Sequence, residues 1–481
     1  MSFSVSRYQT NYTFQYKFPQ GNDLKFHYGM NFSHRAEALL LFLGDLVILY
    51  TSLLFTLFIR YGSLGSEEFT RMFTLHFIPF SLVFLLWTLV FFIAGLYEKH
   101  TLFLQKQLPQ LLSRALTLNV VIAVLFFYFI PAFKITPRIN LFICLFVSSV
   151  LLFFWRRYRL HSAASTEKQN AVIIGNGEEM ERIVREINQN PRYRIRFAFT
   201  VDTLSLSKAD ISSSISRLSA EHITLIVLDL HSREVQTLLP HLYGLLSSGI
   251  QFVDMHDMYE EVFDRIPLSL VRYHWFLEHI SSVSSRFTYD FLKRFMDIVI
   301  SLALGLLSLV AYPFVYIAIK LDDGGAFFVS QERVGLNNNI IRTIKFRTMS
   351  RDDKGRPELK AGNKVTRVGA FLRRTRIDEL PQLWNVLHGE MSLIGPRPEL
   401  PSLVEVYERE VPHYNIRHLI KPGLSGWAQL YHKTPPKVDA NPDETATKLS
   451  YDLYYLKHRS IWLDIKIALK TVKVLLSRSG V

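Results

Sequence analysis

The stretch FLRRTRIDELPQLWNVLHGEMSLIGPRP, residues 371–398, sets two adjacent carboxylates, Asp378 and Glu379, inside a cluster of arginines. Pro381 follows this acid pair, and proline suits the first turn of a helix because the N–H that it lacks would find no intrahelical partner there. The apolar residues after it recur at helical spacing, and the stretch ends on a rigid Gly-Pro-Arg-Pro corner. The pattern predicts an acid pair at or just before a helix N-terminus, which suits an anionic, metal-bound phosphate better than a core.

The acid pair has the composition needed for covalent chemistry on phosphorus. We expect the helix dipole and the neighbouring Arg373, Arg374 and Arg376 to favour the ionised form of both acids. An ionised aspartate can attack phosphorus and form an acyl phosphate. An adjacent carboxylate can hold a divalent metal that shields a diphosphate from the attacking anion. The alternative is that both acids only cap the helix.

Cations recur on both sides of the acid pair. The motif KFRTM contributes Lys345 and Arg347, and the GPRP corner contributes Arg397. Arginine suits two-pronged recognition of phosphate, and lysine neutralises it as a point charge. Each cation taken singly could be solvated surface charge, but their joint occurrence favours phosphate binding. The glycine-rich KPGLSGWAQL at 421–430 either approaches a ligand closely or packs beneath the site.

Four long apolar segments precede this part of the chain, at Ala38–Ile59, Met72–Leu96, Leu111–Ile130 and Ile139–Trp155. Each is long enough to cross a bilayer as a helix, so residues 1–160 are predicted to form an N-terminal transmembrane four-helix bundle. The distribution of Lys and Arg around the segments places both ends of the bundle in the cytoplasm. Asp45, inside the first segment, either serves function or hydrogen-bonds between helices.

The composition limits the partners and the redox chemistry. Hydrophobic residues make up 49% of the chain and the formal net charge is +13, so anionic partners such as phospholipid head groups and nucleotides are expected. The single cysteine, Cys144, excludes an internal disulfide. A reducing compartment fits this cysteine count.

Residues 171–260 alternate apolar strand patterns with helical ones, which predicts a Rossmann-like α/β domain with a parallel sheet and a regulatory role. Gly175-Asn176-Gly177 lies between a strand and a helix, as in a dinucleotide-binding turn. The third glycine of that fingerprint is replaced by Met180. A structural or regulatory domain without a cofactor is therefore favoured, and a bound nucleotide stays open.

A fifth apolar segment, Ile298–Ile319, is uncharged for its whole length and contains Pro313. Proline removes one backbone hydrogen bond and favours a kink. A kinked helix over residues 295–320 could enter and leave by one face of the membrane, whereas an ordinary fifth crossing is the alternative. The re-entrant form is favoured because it keeps the acid pair beside both cytosolic nucleotides and lipid.

Residues 286–481 resemble the bacterial sugar transferase family, the polyprenyl-phosphate hexose-1-phosphate transferases. The resemblance is carried by KRFMDIVISL, QERVG, IKFRTM, TRVGAFLRRTRIDELPQLWNVLHGEMSLIGPRPEL, KPGLSGWAQL and DLYYLKHRSIWLDIKIALKT. With the bundle and the α/β domain, the chain looks like the large, membrane-bound form. The resemblance implies a mainly α catalytic domain over residues 286–481, with a re-entrant membrane helix.

The resemblance also implies a reaction and its residues. A sugar 1-phosphate passes from a UDP-sugar to undecaprenyl phosphate with release of UMP, as the first step of exopolysaccharide, capsule or O-antigen synthesis. The implied roles are Asp378 as the nucleophile of a phosphosugar-aspartyl intermediate, Glu379 as the Mg²⁺ ligand, Lys345, Arg347 and Arg397 as phosphate contacts, and Pro313 as the membrane-helix break. A multi-pass protein of the bacterial inner membrane is expected, with a cytoplasmic catalytic domain, lipid contacts, homodimerisation and no nucleic-acid partner.

Two other functions compete with this one. A membrane-bound, NAD-dependent nucleotide-sugar dehydratase would use a Tyr-x-x-x-Lys pair, and Tyr316 and Lys320 have that spacing at the end of the fifth apolar segment. A non-catalytic scaffold would instead recruit glycosyltransferases of a glycan assembly complex through the α/β domain.

Overall fold

A computed structural model describes residues 29–62, 66–97, 108–130, 138–164, 168–190, 193, 195–203, 222–243, 245, 249–280, 286–350, 364–431 and 441–476. The described chain is mainly helical, with one four-stranded parallel sheet and two two-stranded sheets. Its elements follow the chain order that the alternating sequence patterns predict.

The N-terminal part forms four helices: α1 (Gly29–Tyr61), α2 (Glu67–Ala94), α3 (Leu108–Phe129) and α4 (Arg138–Ala164). Each of them is long and apolar enough to cross a membrane. Leu49, Leu53 and Leu57 recur every four residues on the buried face of α1 and pack in one core with Trp87. The apolar segments of the sequence are thus confirmed as helices that fit a membrane bundle.

Asp45 joins helices of the bundle rather than lining a free site. Its carboxylate forms an ion pair with Arg156 of α4 and accepts a hydrogen bond of 2.8 Å from the Tyr97 hydroxyl. Arg156 also donates to the Leu96 carbonyl at 2.7 Å. Of the two roles weighed for Asp45, hydrogen bonding between helices is therefore the one observed.

The α/β part contains a parallel sheet in the order β2-β1-β3-β4. The elements are β1 (Gln169–Gly175), α5 (Glu178–Gln189), β2 (Ile195–Asp202), β3 (Leu225–Leu228), α6 (Arg233–Tyr243), β4 (Gln251–Asp254), α7 (Met255–Phe263) and α8 (Tyr273–His279). The predicted strand–helix alternation and parallel pairing are confirmed. Apolar residues cover both faces of β1 and β3, as parallel strands with helices on both faces require.

The glycine turn after β1 is poorly suited to a phosphate. Gly177 takes a φ of +92° and precedes α5, so the turn has the geometry expected from the sequence. The first turn of α5 carries Glu178, Glu179 and Glu181. These carboxylates satisfy the positive end of the helix dipole and would repel a pyrophosphate there.

The C-terminal part begins with α9 (Phe287–Ser308) and α10 (Tyr312–Asp322), followed by the antiparallel pair β5 (Phe328–Val334) and β6 (Ile340–Phe346). The remaining elements are α11 (Arg367–Thr375), a 3₁₀ turn (Ile377–Glu379), α12 (Gln382–His388), β7 (Ser392–Ile394), α13 (Pro401–Glu410), a 3₁₀ helix (Tyr414–Leu419), β8 (Gly423–Ser425), α14 (Trp427–Tyr431), α15 (Pro442–His458) and α16 (Ile461–Leu476). Strands β7 and β8 pair in parallel.

Helices α9 and α10 form a bent pair. Their axes differ by 55° across a short break, and Pro313 is the second residue of α10, where its missing N–H costs nothing. Asp297, halfway along α9 and at the start of its apolar stretch, accepts a 3.0 Å hydrogen bond from the Leu393 backbone N–H. At the end of the second arm Asp322 accepts one of 2.9 Å from the Val368 backbone N–H. The middle of α9 and the end of α10 therefore both contact the C-terminal part of the chain.

Residues between the predicted domains belong to the C-terminal core. Ile266 and Trp275 are fully buried in one apolar cluster with Leu453 of α15. The indole N–H of Trp427 donates to the Asp264 carbonyl at 2.9 Å. The segment 261–285, which the sequence assigned to neither domain, thus packs its described residues mainly against the C-terminal elements.

Contacts also join the bundle to the C-terminal part. The Lys473 ammonium of α16 donates to the Ala94 carbonyl at 3.2 Å, at the end of α2. The rings of Phe92 and Trp462 meet edge to face at a centroid distance of 5.8 Å. The C-terminal end of α2 therefore lies on the same side of the bundle as α16.

Candidate active site

The acid pair lies in a tight turn between two helices. Arg376 ends α11 in the left-handed region, with a φ of +58°, and so turns the chain. Asp378 and Glu379 then form a 3₁₀ turn, and Pro381 directly precedes α12. The predicted position of the acids, just before a helix N-terminus, is confirmed.

Glu379 is the centre of a cluster of cations. Its Oε1 atom lies 2.9 Å from Nη2 of Arg397, 3.4 Å from Nη1 of Arg376 and 3.7 Å from Nζ of Lys345. The side chain is 15% exposed. Burial alone would raise the pKa of Glu379, but the three cations outweigh it and lower the pKa to about 2. Glu379 is therefore a permanent anion that gathers cations from three separate segments.

Asp378 has the opposite electrostatics. Burial, and next the charge of Glu379, raise the pKa of Asp378 to about 6. Arg376 and Arg373 do lower the pKa of Asp378, as expected, but burial and Glu379 outweigh them. Its Oδ1 atom is buried and has no hydrogen-bond partner among the described residues. Above pH 6 this group is a poorly solvated carboxylate, and poor solvation increases its reactivity.

Lys345 lies on β6, and its amine belongs to the cluster. Burial changes the pKa of this amine as well. Burial lowers the pKa of Lys345 to about 8, although Glu379 opposes the shift. With Arg397 it meets the prediction of cations beside the acid pair. Arg347 lies elsewhere, because its guanidinium pairs with Asp323 at 2.9 Å and donates to the Met349 carbonyl at 2.8 Å. A phosphate contact by Arg347 stays a prediction.

The break in the bent helix pair is joined to the site by aromatic residues. The Tyr312 hydroxyl accepts a 3.3 Å hydrogen bond from the indole N–H of Trp384 on α12. The Tyr312 ring also meets that of Phe346, the neighbour of Lys345, edge to face at 4.9 Å. Pro313 therefore lies directly beside a side chain that contacts both walls of the site. Sequence reasoning missed Tyr312, although its position before the proline was the available signal.

The Tyr-x-x-x-Lys pair of the dehydratase alternative has a different environment. Lys320 donates to the carbonyls of Gly324 and Gly325, at 3.3 and 2.9 Å, and lies over the Tyr316 ring. Both side chains belong to α10, the second arm of the bent pair. This arrangement gives the pair a local capping role and does not favour a dehydratase.

A magnesium ion would need ligands from the substrate as well as from the protein. Within the described ranges, no group of three His, Cys, Asp or Glu side chains is arranged to hold a metal. Mg²⁺ is commonly bound by one or two carboxylates together with substrate phosphates. The buried, unpartnered Oδ1 of Asp378 beside the Glu379 carboxylate fits that mode of binding.

The chain shares its C-terminal part with known proteins. Residues 288–478 match the family model described as bacterial sugar transferase. A UDP-N-acetylgalactosamine-undecaprenyl-phosphate N-acetylgalactosaminephosphotransferase of Aeromonas hydrophila is 43% identical over 196 residues, which are 40% of this chain and 45% of that protein. An undecaprenyl-phosphate glucose phosphotransferase of Komagataeibacter xylinus is 31% identical over 365 residues, 71% of this chain and 66% of that protein.

A shorter relative is covered over almost its whole length. The exopolysaccharide production protein PSS of Rhizobium leguminosarum bv. phaseoli is 39% identical over 194 residues, 39% of this chain and 96% of that protein. The chain spans 45% and 66% of the lengths of the Aeromonas and Komagataeibacter relatives. Through residues 288–478, which hold the acid pair and its cations, the chain belongs to the bacterial sugar transferase family.

Proposed function

We propose that this chain transfers a sugar 1-phosphate from a UDP-sugar to undecaprenyl phosphate and releases UMP. The observation that carries the proposal is Asp378, a buried carboxylate with an unpartnered oxygen beside a cluster of cations. The names of the relatives, which contain undecaprenyl phosphate and sugar phosphotransferase, support the same reaction class.

The reaction would proceed in two displacements at phosphorus. In the first, the Asp378 carboxylate attacks the phosphorus that carries the sugar, the bond to the bridging oxygen breaks, and UMP leaves with the electron pair. In the second, an oxygen of undecaprenyl phosphate attacks the phosphosugar-aspartyl intermediate and frees the carboxylate. Neither displacement needs an oxidant or a reductant.

The cations would stabilise charge that moves onto the phosphate oxygens. Arg397 offers a planar fork for two oxygens, and Lys345 and Arg376 add point charges from two other elements. Glu379 is the residue we propose to hold Mg²⁺, which when bound shields the diphosphate from the attacking anion. Without substrate, Glu379 keeps the cations together.

Access to lipid would come from the bent helix pair. We propose that α9–α10 dips into the membrane and returns, over about residues 295–320. Contacts of Asp297, at the start of the apolar stretch, and of Asp322, at the end of α10, with the C-terminal part of the chain support this form over a full crossing. With the positive-inside distribution, the proposal places the protein in the bacterial inner membrane with the acid pair in the cytoplasm.

The first step of exopolysaccharide, capsule or O-antigen synthesis is the pathway position that we propose. A homodimer through the Rossmann-like α/β domain is proposed with it. The exposed side chain of Tyr243 on α6 supports such an association. Mass measurement of the protein in nanodiscs, with Tyr243→Glu as the disrupting variant, would test the dimer.

The reaction is tested by UMP release from UDP-sugars in the presence of undecaprenyl phosphate. Asp378→Asn should abolish release, whereas Glu405→Gln, a change at an exposed acid of α13, should leave it intact. With radiolabelled UDP-sugar and no lipid, the wild type should retain label that hydroxylamine removes. Full activity of Asp378→Asn would refute the nucleophile assignment, and full activity in EDTA would refute the magnesium proposal.

A further inference from the structure

The loop that carries Arg397 is held by its backbone along its whole length. We call residues 395–399 the GPRP loop, and the four consecutive carbonyls of residues 396–399 each accept a hydrogen bond. The donors are the Gly423 N–H to Pro396 at 2.9 Å, the Arg417 guanidinium to Arg397 at 3.1 Å, the Arg333 guanidinium to Pro398 at 3.3 Å and the Val334 N–H to Glu399 at 2.9 Å. The KPGLSG motif therefore packs beneath the loop. This is one of the two roles that the sequence predicted for the motif.

The two prolines leave Arg397 as the residue between them whose backbone can still rotate. Pro396 and Pro398 have their φ angles fixed by their rings. Arg397 also precedes a proline and so is kept out of the helical region. The remaining freedom is small rotations of the Arg397 backbone, and these move its long side chain through a wide arc. A donor on the Arg397 carbonyl is the contact that can restrict them.

Arg417 is built to be that donor. Its side chain is 4% exposed, and its Nη2 atom lies 2.8 Å from Asp452 of α15, which is 2% exposed. Its Nη1 atom donates to the Tyr414 hydroxyl at 2.7 Å. The carboxylate and the hydroxyl thus fix the plane of the guanidinium before it meets the Arg397 carbonyl.

Stability alone is a weak explanation for this arrangement. A buried ion pair costs desolvation energy that its attraction often only balances, and apolar residues of similar volume commonly do as well. An apolar pair at these positions would leave the Arg397 carbonyl without its donor. The charged pair is explained if its function is to orient the side chain of Arg397.

We propose that Arg417, oriented by Asp452 and Tyr414, is a positioning residue that directs Arg397 onto Glu379 and the diphosphate of the nucleotide substrate. The inference rests on the proposed function for the identity of that substrate. Arg417 acts only through Arg397. Its loss should therefore weaken recognition of the UDP-sugar and of UMP, and leave recognition of undecaprenyl phosphate unchanged.

Arg417→Lys is the main test, because lysine keeps the charge for Asp452 but has a single nitrogen in place of Nη2, which faces Asp452 and the Arg397 carbonyl, and Nη1, which donates to Tyr414. Tyr414→Phe is the second variant and removes one acceptor from the guanidinium at nearly constant volume. The matched control is Lys457→Gln with Glu260→Gln. This control removes a 2.7 Å ion pair between Lys457, on the same helix as Asp452, and Glu260, which belongs to α7 and not to the GPRP loop.

Three quantities are measured in the full-length protein: UMP affinity by calorimetry, KM and kcat for both substrates, and the midpoint of thermal unfolding. Arg417→Lys should weaken UMP binding and raise KM for the UDP-sugar about tenfold, at the lower end of the effect of supporting residues at other sites. Tyr414→Phe should shift both in the same direction by less. The control should lower the unfolding midpoint and leave the UMP affinity and the KM for the UDP-sugar at the wild-type values.

Equal UMP affinity in the wild type and in a folded Arg417→Lys or Tyr414→Phe variant would overturn the positioning role. An equal loss of affinity in the control would also overturn it, because it would indicate general destabilisation. If the wild type binds UMP more tightly than the variants but transfers no sugar phosphate, the positioning role stands and the proposed reaction fails.

Discussion

Asp378 and Glu379 are adjacent in sequence and yet differ in the direction of their pKa shifts, because the cations outweigh burial at Glu379 but not at Asp378. Glu379 reaches Arg397, Arg376 and Lys345, which lower its pKa to about 2, whereas burial raises that of Asp378 to about 6. Two carboxylates with opposite environments are typical of a site that assigns them different tasks. Asp378 fits the attacking group and Glu379 the charge that organises the site.

These shifts predict a bell-shaped dependence of kcat/KM on pH for the UDP-sugar. The rate should rise as the pH passes about 6, because Asp378 loses its proton there, and fall above about 8, because Lys345 then loses its positive charge. Lys345→Arg should remove the fall at high pH, since arginine stays protonated. Initial rates of UMP release measure the profile, and a flat profile between about pH 5 and about pH 9 would contradict both assignments.

Removal of the central anion should affect both stability and activity. Glu379→Gln leaves three cations close together without their shared partner, so we expect a lower midpoint of thermal unfolding and at least about a hundredfold loss of UMP release. Glu379→Asp keeps the charge and should recover part of both. The exposed Glu405→Gln serves as the matched control, and wild-type behaviour of Glu379→Gln would show that the cations need no anion.

At the scale of single residues, the sequence predicted the parts that depend on local pattern. The acid pair before a helix and the nearness of Lys345 and Arg397 follow from motif and spacing. The raised pKa of Asp378 and the pairing of Arg347 with Asp323 depend on burial and on contacts between distant segments. Local sequence carries little information about either, and the same holds for the role of Arg417.

Among the elements, the bent pair α9–α10 is the one whose path through the membrane the sequence alone does not determine. Hydropathy and Pro313 predicted the apolar segment and the position of its break, and the structure confirms both. The choice between dip and crossing depends instead on which parts of the chain the two arms contact. The hydrogen bonds of Asp297 to Leu393 and of Asp322 to Val368 support the dip that we propose.

Labelling of introduced cysteines tests the path of this pair. In a Cys144→Ser background, Glu278→Cys before α9 and Lys320→Cys near the end of α10 should react with an impermeant maleimide from the same face of membrane vesicles. Glu68→Cys, at the start of α2, should react from the opposite face and serves as the control for vesicle orientation. Reaction of the first two positions from opposite faces would establish a full crossing.

For the whole molecule, the C-terminal core includes residues that lie between the predicted domain bounds at 260 and 286. The alternation of strands and helices located the α/β part well, because its periodicity is local. The cluster that joins Ile266, Trp275 and Phe276 to α15 is formed between segments far apart in sequence. Hydrophobic pattern shows that such residues are buried, but it does not show against which partner.

The position of this core predicts how the chain can be shortened. A fragment of residues 264–481 should keep UMP release, whereas 286–481 should lose stability because its core would lack the apolar side chains of residues 266–280. Trp275→Ala in the full-length protein should reproduce about 3–5 kcal/mol of that loss. Unfolding midpoints and UMP release measure both, and equal stability of the two fragments would contradict the shared core.

The proposed path of the bent pair has a consequence for the membrane topology. If α9–α10 returns to its starting face, as we propose, it causes no net change of side, and everything after Asp322 lies in the same compartment as the segment before Phe287. With four upstream crossings, or with none, the transferase part lies on the same side of the membrane as the N-terminus. With one or three crossings it lies on the opposite side. Insertion or deletion of transmembrane helices in pairs would thus preserve the orientation of the transferase part, and single-helix changes would place the acid pair on the wrong side of the membrane.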